Sequence, residues 1–285
     1  MNNKNKYDII VSTGGKCGGR TLFKTFVENG FETFFTHGSY DDGDIKSMEE
    51  LISIQEKNNI YIFDSYRTPI ERHISSFFQN INIHILKPLD KINVDMLIYW
   101  YNQCYFDCDN YHPLDTMLNI FNGYEFDFNK EYIKKIIELE NKRIIYVKLR
   151  FKTIYLWKNI LSEILGKDII IHDDNLSCNK SYVHIYNEFK KKYLVPVNYL
   201  NYLISQDTFI RYNTLLERDE YIKEWKNKSM EVDKSAEKIN DSMFENIPDD
   251  FDVHVYKNKN SLNYTDFNAK IHYELIGFYK KLEYK

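Results

Sequence analysis

The chain has few cysteines, no long apolar run and no excess of positive charge, and each shortage removes a class of protein. Cys17, Cys104, Cys108 and Cys178 are the only cysteines among 285 residues. They form no disulfide framework, so a reducing, cytoplasmic setting is expected. No stretch approaches the roughly 20 apolar residues that cross a bilayer. The polar start Met1-Asn2-Asn3-Lys4-Asn5-Lys6 leads into a strand with no apolar region behind it. Neither a secretory signal nor an integral membrane segment is expected. Lys and Arg number 38 against 42 Asp and Glu, a net charge of −4, which speaks against a general nucleic-acid binder. There is no internal repeat and no low-complexity linker, so residues 1–285 read as one α/β domain with a helical extension from about 179. Hydrophobic content of 43% suffices for a sizeable core.

Glycine is scarce too, at ten residues, yet four of them fall in Thr13-Gly14-Gly15-Lys16-Cys17-Gly18-Gly19-Arg20-Thr21. This stretch follows the apolar run Tyr7-Asp8-Ile9-Ile10-Val11 and leads into an amphipathic segment, Leu22 to Val27. A strand, a Gly-rich turn and a helix in that order make an anion cradle. Glycines let backbone N–H groups close on an anion, and the helix adds its unpaired N–H groups and the positive end of its dipole. Lys16 and Arg20 supply full charges. The alternative is a tight turn with two solvated cations.

The first half alternates strand and helix: strands at 7–12, 31–36 and 59–65, helices at 19–29, 46–57 and 70–80, the last opened by Pro69. This βαβαβα order predicts a mainly parallel sheet with helices on both faces, of P-loop type, and ligands at the carboxyl ends of its strands. Residues 88–135 are rich in aromatics, with helix signals around 93–108 and 129–140. Further expectations are a strand at 143–149, a helix at 152–165 capped by Gly166, a short strand at Ile169-Ile170-Ile171, helices from about 179 to 245, a strand at 252–256 and a helix at 266–281. Cys104, Cys108 and His112 share a helical face, but their spacing fits no standard zinc pattern, and buried thiols among aromatics are the reading preferred.

Gly14, four residues, then Gly19-Arg20-Thr21 also fits a Walker A pattern with Arg in place of Lys, and Asp64 closes a Walker B-like strand. A P-loop kinase or NTPase using ATP and magnesium is therefore an alternative, and so is a non-catalytic anion-binding protein that keeps the loop but tolerates loss of His37 and Lys16. A second motif follows the third strand: Arg67-Thr68-Pro69-Ile70-Glu71-Arg72-His73-Ile74-Ser75. A guanidinium at a strand end and a hydroxyl two turns along a helix suit a second phosphate. The competing reading is helix capping plus an Arg72–Glu71 surface pair.

Lys16-Cys17-Gly18-Gly19-Arg20-Thr21-Leu22 resembles the 5′-phosphosulfate loop of sulfotransferases that use 3′-phosphoadenosine 5′-phosphosulfate, closest to the K-G-G-T-R-A-L form of the heparan-type enzymes. Arg67-x-Pro69-x-x-Arg72-x-x-Ser75 resembles their 3′-phosphate motif, and Val147-Lys148-Leu149-Arg150 to Ile164-Leu165-Gly166 is similar to a late strand and helix of that fold. Arg67 to Ile81, and Asn179-Lys180-Ser181-Tyr182 with Tyr186-x-x-Phe189-Lys190, are similar to a bacterial family of capsular polysaccharide synthesis proteins. In this chain Ser181 replaces that family's Trp, Val183 its Ser and Thr68 its Asp. The likeness runs in patches over residues 7–225.

The resemblance implies sulfuryl transfer from that donor to an acceptor hydroxyl of a saccharide, leaving adenosine 3′,5′-bisphosphate, with no metal. Lys16 would neutralise the leaving phosphate. Backbone N–H groups from Gly15 through Cys17, Gly18, Gly19 and Arg20 to Thr21, with the Thr21 hydroxyl, would hold the 5′ phosphate. Arg20 would reach the same oxygens or turn to the sheet, and Arg67 and Ser75 would hold the 3′ phosphate. The acceptor hydroxyl needs a base titrating near neutrality. His37, just after the second strand, is the candidate, with Asp41, Asp42, Asp44 and Glu71 as rivals. Cys17 reads as a backbone donor, although a helix N-terminus tends to depress a thiol's pKa. Tyr99-Trp100-Tyr101 and Tyr105-Phe106 are candidates to stack on sugar rings, or are core.

Overall fold

The computed structural model describes residues 7–36, 48–106, 131–139, 141–172, 181–231 and 235–284. Its elements run β1 (Ile9–Ser12), α1 (Gly19–Glu28), β2 (Thr33–Thr36), α2 (Met48–Ser53), β3 (Asn59–Tyr66), α3 (Pro69–Gln79), α4 (Ile81–His84), α5 (Val94–Phe106), β4 (Tyr132–Leu139), β5 (Lys142–Arg150), α6 (Trp157–Leu165), α7 (Val183–Lys192), β6 (Val195–Pro196), α8 (Val197–Ile204), α9 (Asp207–Arg211), α10 (Leu215–Lys226), β7 (Ser229–Met230), α11 (Val253–Lys259) and α12 (Asp266–His272). They fall into two compact units. One comprises residues 1–72, 111–177 and 203–220, the other residues 73–110, 178–202 and 221–285. Residues 203–220, inside the expected helical extension, thus belong with the sheet.

The first unit is built on a five-stranded sheet in the order β2-β1-β3-β5-β4. β1 runs parallel to β2 and β3, and β3 parallel to β5. The expected α/β architecture with a mostly parallel sheet flanked by helices is what forms. Continuous apolar strands suit this burial, because both faces are covered. Ile9, Val11, Phe63, Val147 and Leu149 pack against Leu22 and Phe26 of α1 and Trp157, Ile160 and Leu161 of α6. Ile10, Ile60, Ile62, Ile144 and Tyr146 pack against Met48, Leu51 and Ile52 of α2. α1 buries Leu22, Thr25 and Phe26, the spacing of one helical stripe.

Three local expectations are corrected. Residues 132–139 form β4, a strand antiparallel to β5, where a helix signal was read. Tyr132, Ile133, Ile136 and Ile137 fit a helical stripe. Eight register pairs with β5 outweigh it, and Leu139 pairs with Lys142 across a two-residue connection. Ile169-Ile170-Ile171 is no strand. Side chains of neighbouring helices take its backbone: Ile169 N–H donates to Ser162 Oγ at 2.9 Å, Ile170 N–H to Asn29 Oδ1 at 3.1 Å and His172 N–H to Thr25 Oγ1 at 3.0 Å. Residues 253–259 are α11 instead of a strand, because Asp252 caps them by accepting from the N–H groups of His254 and Val255 at 2.9 and 3.0 Å.

The second unit carries an aromatic core. Phe77 and Phe78 of α3 meet Tyr101, Tyr186 and Phe189, with ring centroids 5.0 to 6.4 Å apart. Tyr99, Trp100 and Tyr101 are buried, so they are core and form no open platform for sugars. The side chain of Cys104 lies outside the described residues, as do Cys108 and His112. After α12 the chain winds one π-helical turn, Tyr273–Gly277. There the buried Glu274 accepts from Lys87 Nζ at 2.6 Å, and Lys87 is itself buried. Among the described residues no helix is long and apolar enough to cross a membrane.

His272 closes this core beside Trp100 and Tyr264, with its Nδ1 2.6 Å from Tyr256 Oη. Burial, with Lys280 adding to it, lowers its pKa from the ordinary 6.5 to about 4. The folded protein therefore keeps His272 neutral where the unfolded chain takes a proton. Stability on this account is intact above pH 6.5 and is lost as pH falls from there towards 4, by about 2 to 3 kcal/mol. Denaturant titrations at pH 7 and pH 4 should show that loss, and His272→Asn should remove it. An equal acid loss in the variant would assign the effect elsewhere.

Candidate anion-binding site

The order β2-β1-β3-β5 makes a switch point. β1 leads through α1 to β2 on one side, while β3 leads on to β5 on the other. In such sheets the crevice between diverging connections, at the carboxyl ends of the strands, takes ligands. The Gly-rich loop after β1 and the Arg67 segment after β3 both emerge there.

The loop, residues 13–18, turns directly into α1. Lys16 has φ 69 and Gly18 φ 90, both left-handed, while Cys17 between them is not. That alternation turns successive N–H groups towards one side. A Cβ on Gly18 would lie 2.9 Å from the Trp157 ring and 3.1 Å from Phe151, and one on Gly19 2.0 Å from Thr13 Oγ1, so only glycine fits at either place. A Cβ on Gly15 would meet nothing within 4 Å. The loop is thus walled at Gly18 and Gly19 and open at Gly15. The α1 ladder begins where Leu22 N–H donates to Gly18 C=O at 3.1 Å, which leaves the N–H groups of Gly19 and Arg20 ahead of it. No side chain caps α1, and its first turn has no acidic residue. Instead Arg20 sits there, exposed, with Lys16 just before it. Like charge at the positive end of a helix is unfavourable unless an anion joins it. These features fit a phosphate-bearing group.

Around the loop, Ser65 Oγ donates to Cys17 C=O at 2.6 Å, Arg67 Nη1 to Lys16 C=O at 3.3 Å and Arg72 Nε to Gly15 C=O at 2.9 Å. The Arg67 guanidinium lies 4.7 Å over the Phe151 ring. Arg72 therefore points into the loop, unlike in the competing reading of a surface pair with Glu71. Burial pushes the Cys17 thiol pKa up, overriding the lowering influence of Arg72 and Arg67. Burial thus outweighs the depression expected at a helix N-terminus.

Of the other predicted residues, Thr21 is buried on α1, Gly15 and Lys16 are half-buried in the loop, and Ser75 is half-buried on α3 in the second unit. His37, Asp41, Asp42 and Asp44 lie outside the described residues, and Glu71 stands in the first turn of α3. The Walker B candidate Asp64 is buried and engaged. Its Oδ2 accepts from Lys148 Nζ at 2.8 Å and Tyr146 Oη at 3.0 Å, and its Oδ1 from Ser65 N–H at 2.6 Å. Register explains the pair, since Asp64 and Lys148 are direct partners on β3 and β5. Sequence reasoning missed Ser65 as a holder of the loop and Phe151 and Trp157 as its wall. No protein-family model matches this chain, and no curated protein and no solved structure matches it significantly.

Proposed function

We propose that this chain is a sulfotransferase that uses 3′-phosphoadenosine 5′-phosphosulfate and modifies a hydroxyl of a saccharide in the cytoplasm, in polysaccharide synthesis. The observation that carries the reading is the start of α1: an uncapped helix N-terminus, free of acidic residues, flanked by Lys16 and Arg20 and facing Arg67 across the switch point. The loop motif and the Arg67–Ser75 motif support this class. When bound, the donor supplies a sulfuryl group that passes to the hydroxyl oxygen as its bond to the phosphate breaks.

In this reading the ammonium of Lys16 neutralises charge that develops on the leaving phosphate. The N–H groups of Cys17 to Thr21 hold the 5′ phosphate, and the Arg67 guanidinium takes the 3′ phosphate. Positioning and charge stabilisation account for most of the work, as in phosphoryl transfer. His37, which follows the last residue of β2 in the chain, is the proposed proton acceptor. Asp64 speaks against the ATP–magnesium alternative, because Lys148 already neutralises it.

A thermal-shift titration with adenosine 3′,5′-bisphosphate, run beside ATP plus magnesium, tests this. A ligand that binds only the folded state stabilises it by about 2.7 kcal/mol at a hundredfold excess over Kd. That raises the melting temperature by several degrees in a chain of this size. Stabilisation by the bisphosphate with little from ATP–magnesium is expected. Stabilisation by ATP–magnesium alone, or by neither, would overturn the reading.

A further inference from the structure

We propose that Ser65, Arg67 and Arg72 act as a clamp that holds the anion loop in its binding form before any ligand arrives, so that Arg67 serves both phosphate positions and Arg72 is a positioning residue. The inference rests on the nucleotide reading above for its ligand, but the clamp itself is geometric. Three consecutive loop carbonyls, of Gly15, Lys16 and Cys17, each accept from a different side chain of the stretch from the end of β3 to the first turn of α3. A carbonyl held from behind fixes the peptide plane, and so the direction of the N–H on the next residue. Holding three in a row therefore aims the N–H groups of Lys16, Cys17 and Gly18 together. Two of the three donors are guanidinium groups, whose bonds to a carbonyl are among the stronger kind. The Arg67 guanidinium is further held over Phe151, and Arg72 lies so close to Gly14 that a Cβ there would meet its Nη2 at 3.1 Å. Lys16 needs such holding, because a side chain with φ 69 sits in a costly conformation.

A residue that touches only the 3′ phosphate and a residue that clamps the loop behave differently towards a nucleotide lacking that phosphate. Calorimetry with adenosine 5′-phosphate and with adenosine 3′,5′-bisphosphate separates them. Arg67→Ala should weaken the monophosphate about tenfold and the bisphosphate by more. Ser65→Ala and Arg72→Lys should weaken both nucleotides by similar factors. Monophosphate binding that is indifferent to Arg67→Ala, Ser65→Ala and Arg72→Lys would overturn the clamp. Hydrogen exchange in the absence of nucleotide gives a second readout. Loop amides 15–19 should exchange about tenfold faster in Ser65→Ala and Arg72→Lys, with the melting temperature lowered by only a few degrees. Unchanged loop exchange in both variants would also overturn it. If the wild-type protein binds neither nucleotide, the sulfotransferase reading fails, and the exchange measurement alone decides the clamp.

Discussion

On the proposed function, replacing Lys16 by Ala is expected to lower kcat for sulfuryl transfer about a thousandfold while the protein stays folded. Removing one preorganised charge or donor from a developing oxyanion typically costs two to three orders of magnitude. The backbone supplies an independent reason to regard the side chain as functional. Lys16 adopts φ 69, where any residue with a Cβ costs about 1 to 2 kcal/mol, and the neighbouring positions 14, 15, 18 and 19 are glycine. A fifth glycine would relieve the backbone, yet lysine stands there. Ala has the same backbone cost, so Lys16→Ala isolates the ammonium. A steady-state assay with labelled donor, beside a melting curve, reads both quantities. Wild-type turnover in a folded Lys16→Ala protein would remove Lys16 from the mechanism.

The largest single loss of stability is expected in the second unit, at Glu274. Its carboxylate accepts from Lys87 Nζ at 2.6 Å and from Asn246 N–H and Nδ2 at 2.8 and 2.9 Å, and none of its side chain is exposed. Lys87 has one other carboxylate, the largely exposed Glu245 at 3.0 Å, and its backbone and that of Leu86 both donate to Leu275 C=O at 3.0 Å. Glu274→Gln leaves a buried ammonium whose only counter-charge among the described residues is that outer carboxylate. Breaking one half of a buried pair costs about 3 to 5 kcal/mol, which lowers the melting temperature by roughly 10 °C. The double variant Lys87→Met, Glu274→Leu should recover much of this, because an apolar pair of similar size carries no desolvation cost. A Glu274→Gln protein as stable as wild type would show that the pair contributes nothing.

The sheet and its loop were legible because their signals are local. β1, α1 and β3 announce themselves through unbroken apolar runs, a three-residue stripe and a Gly-rich break. What was not legible depends on partners distant in sequence. Residues 132–139 carry a helical stripe, and only the register with β5 makes them a strand. Val253 and Val255 alternate like a strand, and the Asp252 cap decides for α11. Three isoleucines at 169–171 look like a strand until Asn29, Thr25 and Ser162 take their stretch of backbone. In the site, Arg67 was readable from its place at a strand end. The inward turn of Arg72 was not, since an arginine four residues into a helix looks the same whether it faces solvent or a carbonyl 57 positions earlier.

The burial of Cys17 makes the loop a clock. A thiol with a raised pKa and no access to solvent reacts with an alkylating reagent only when the chain around it opens. Cys17 lies in the very loop that would grip an anion, so its rate of alkylation counts how often that loop comes apart, and a bound anion should slow that count without touching the sulfur.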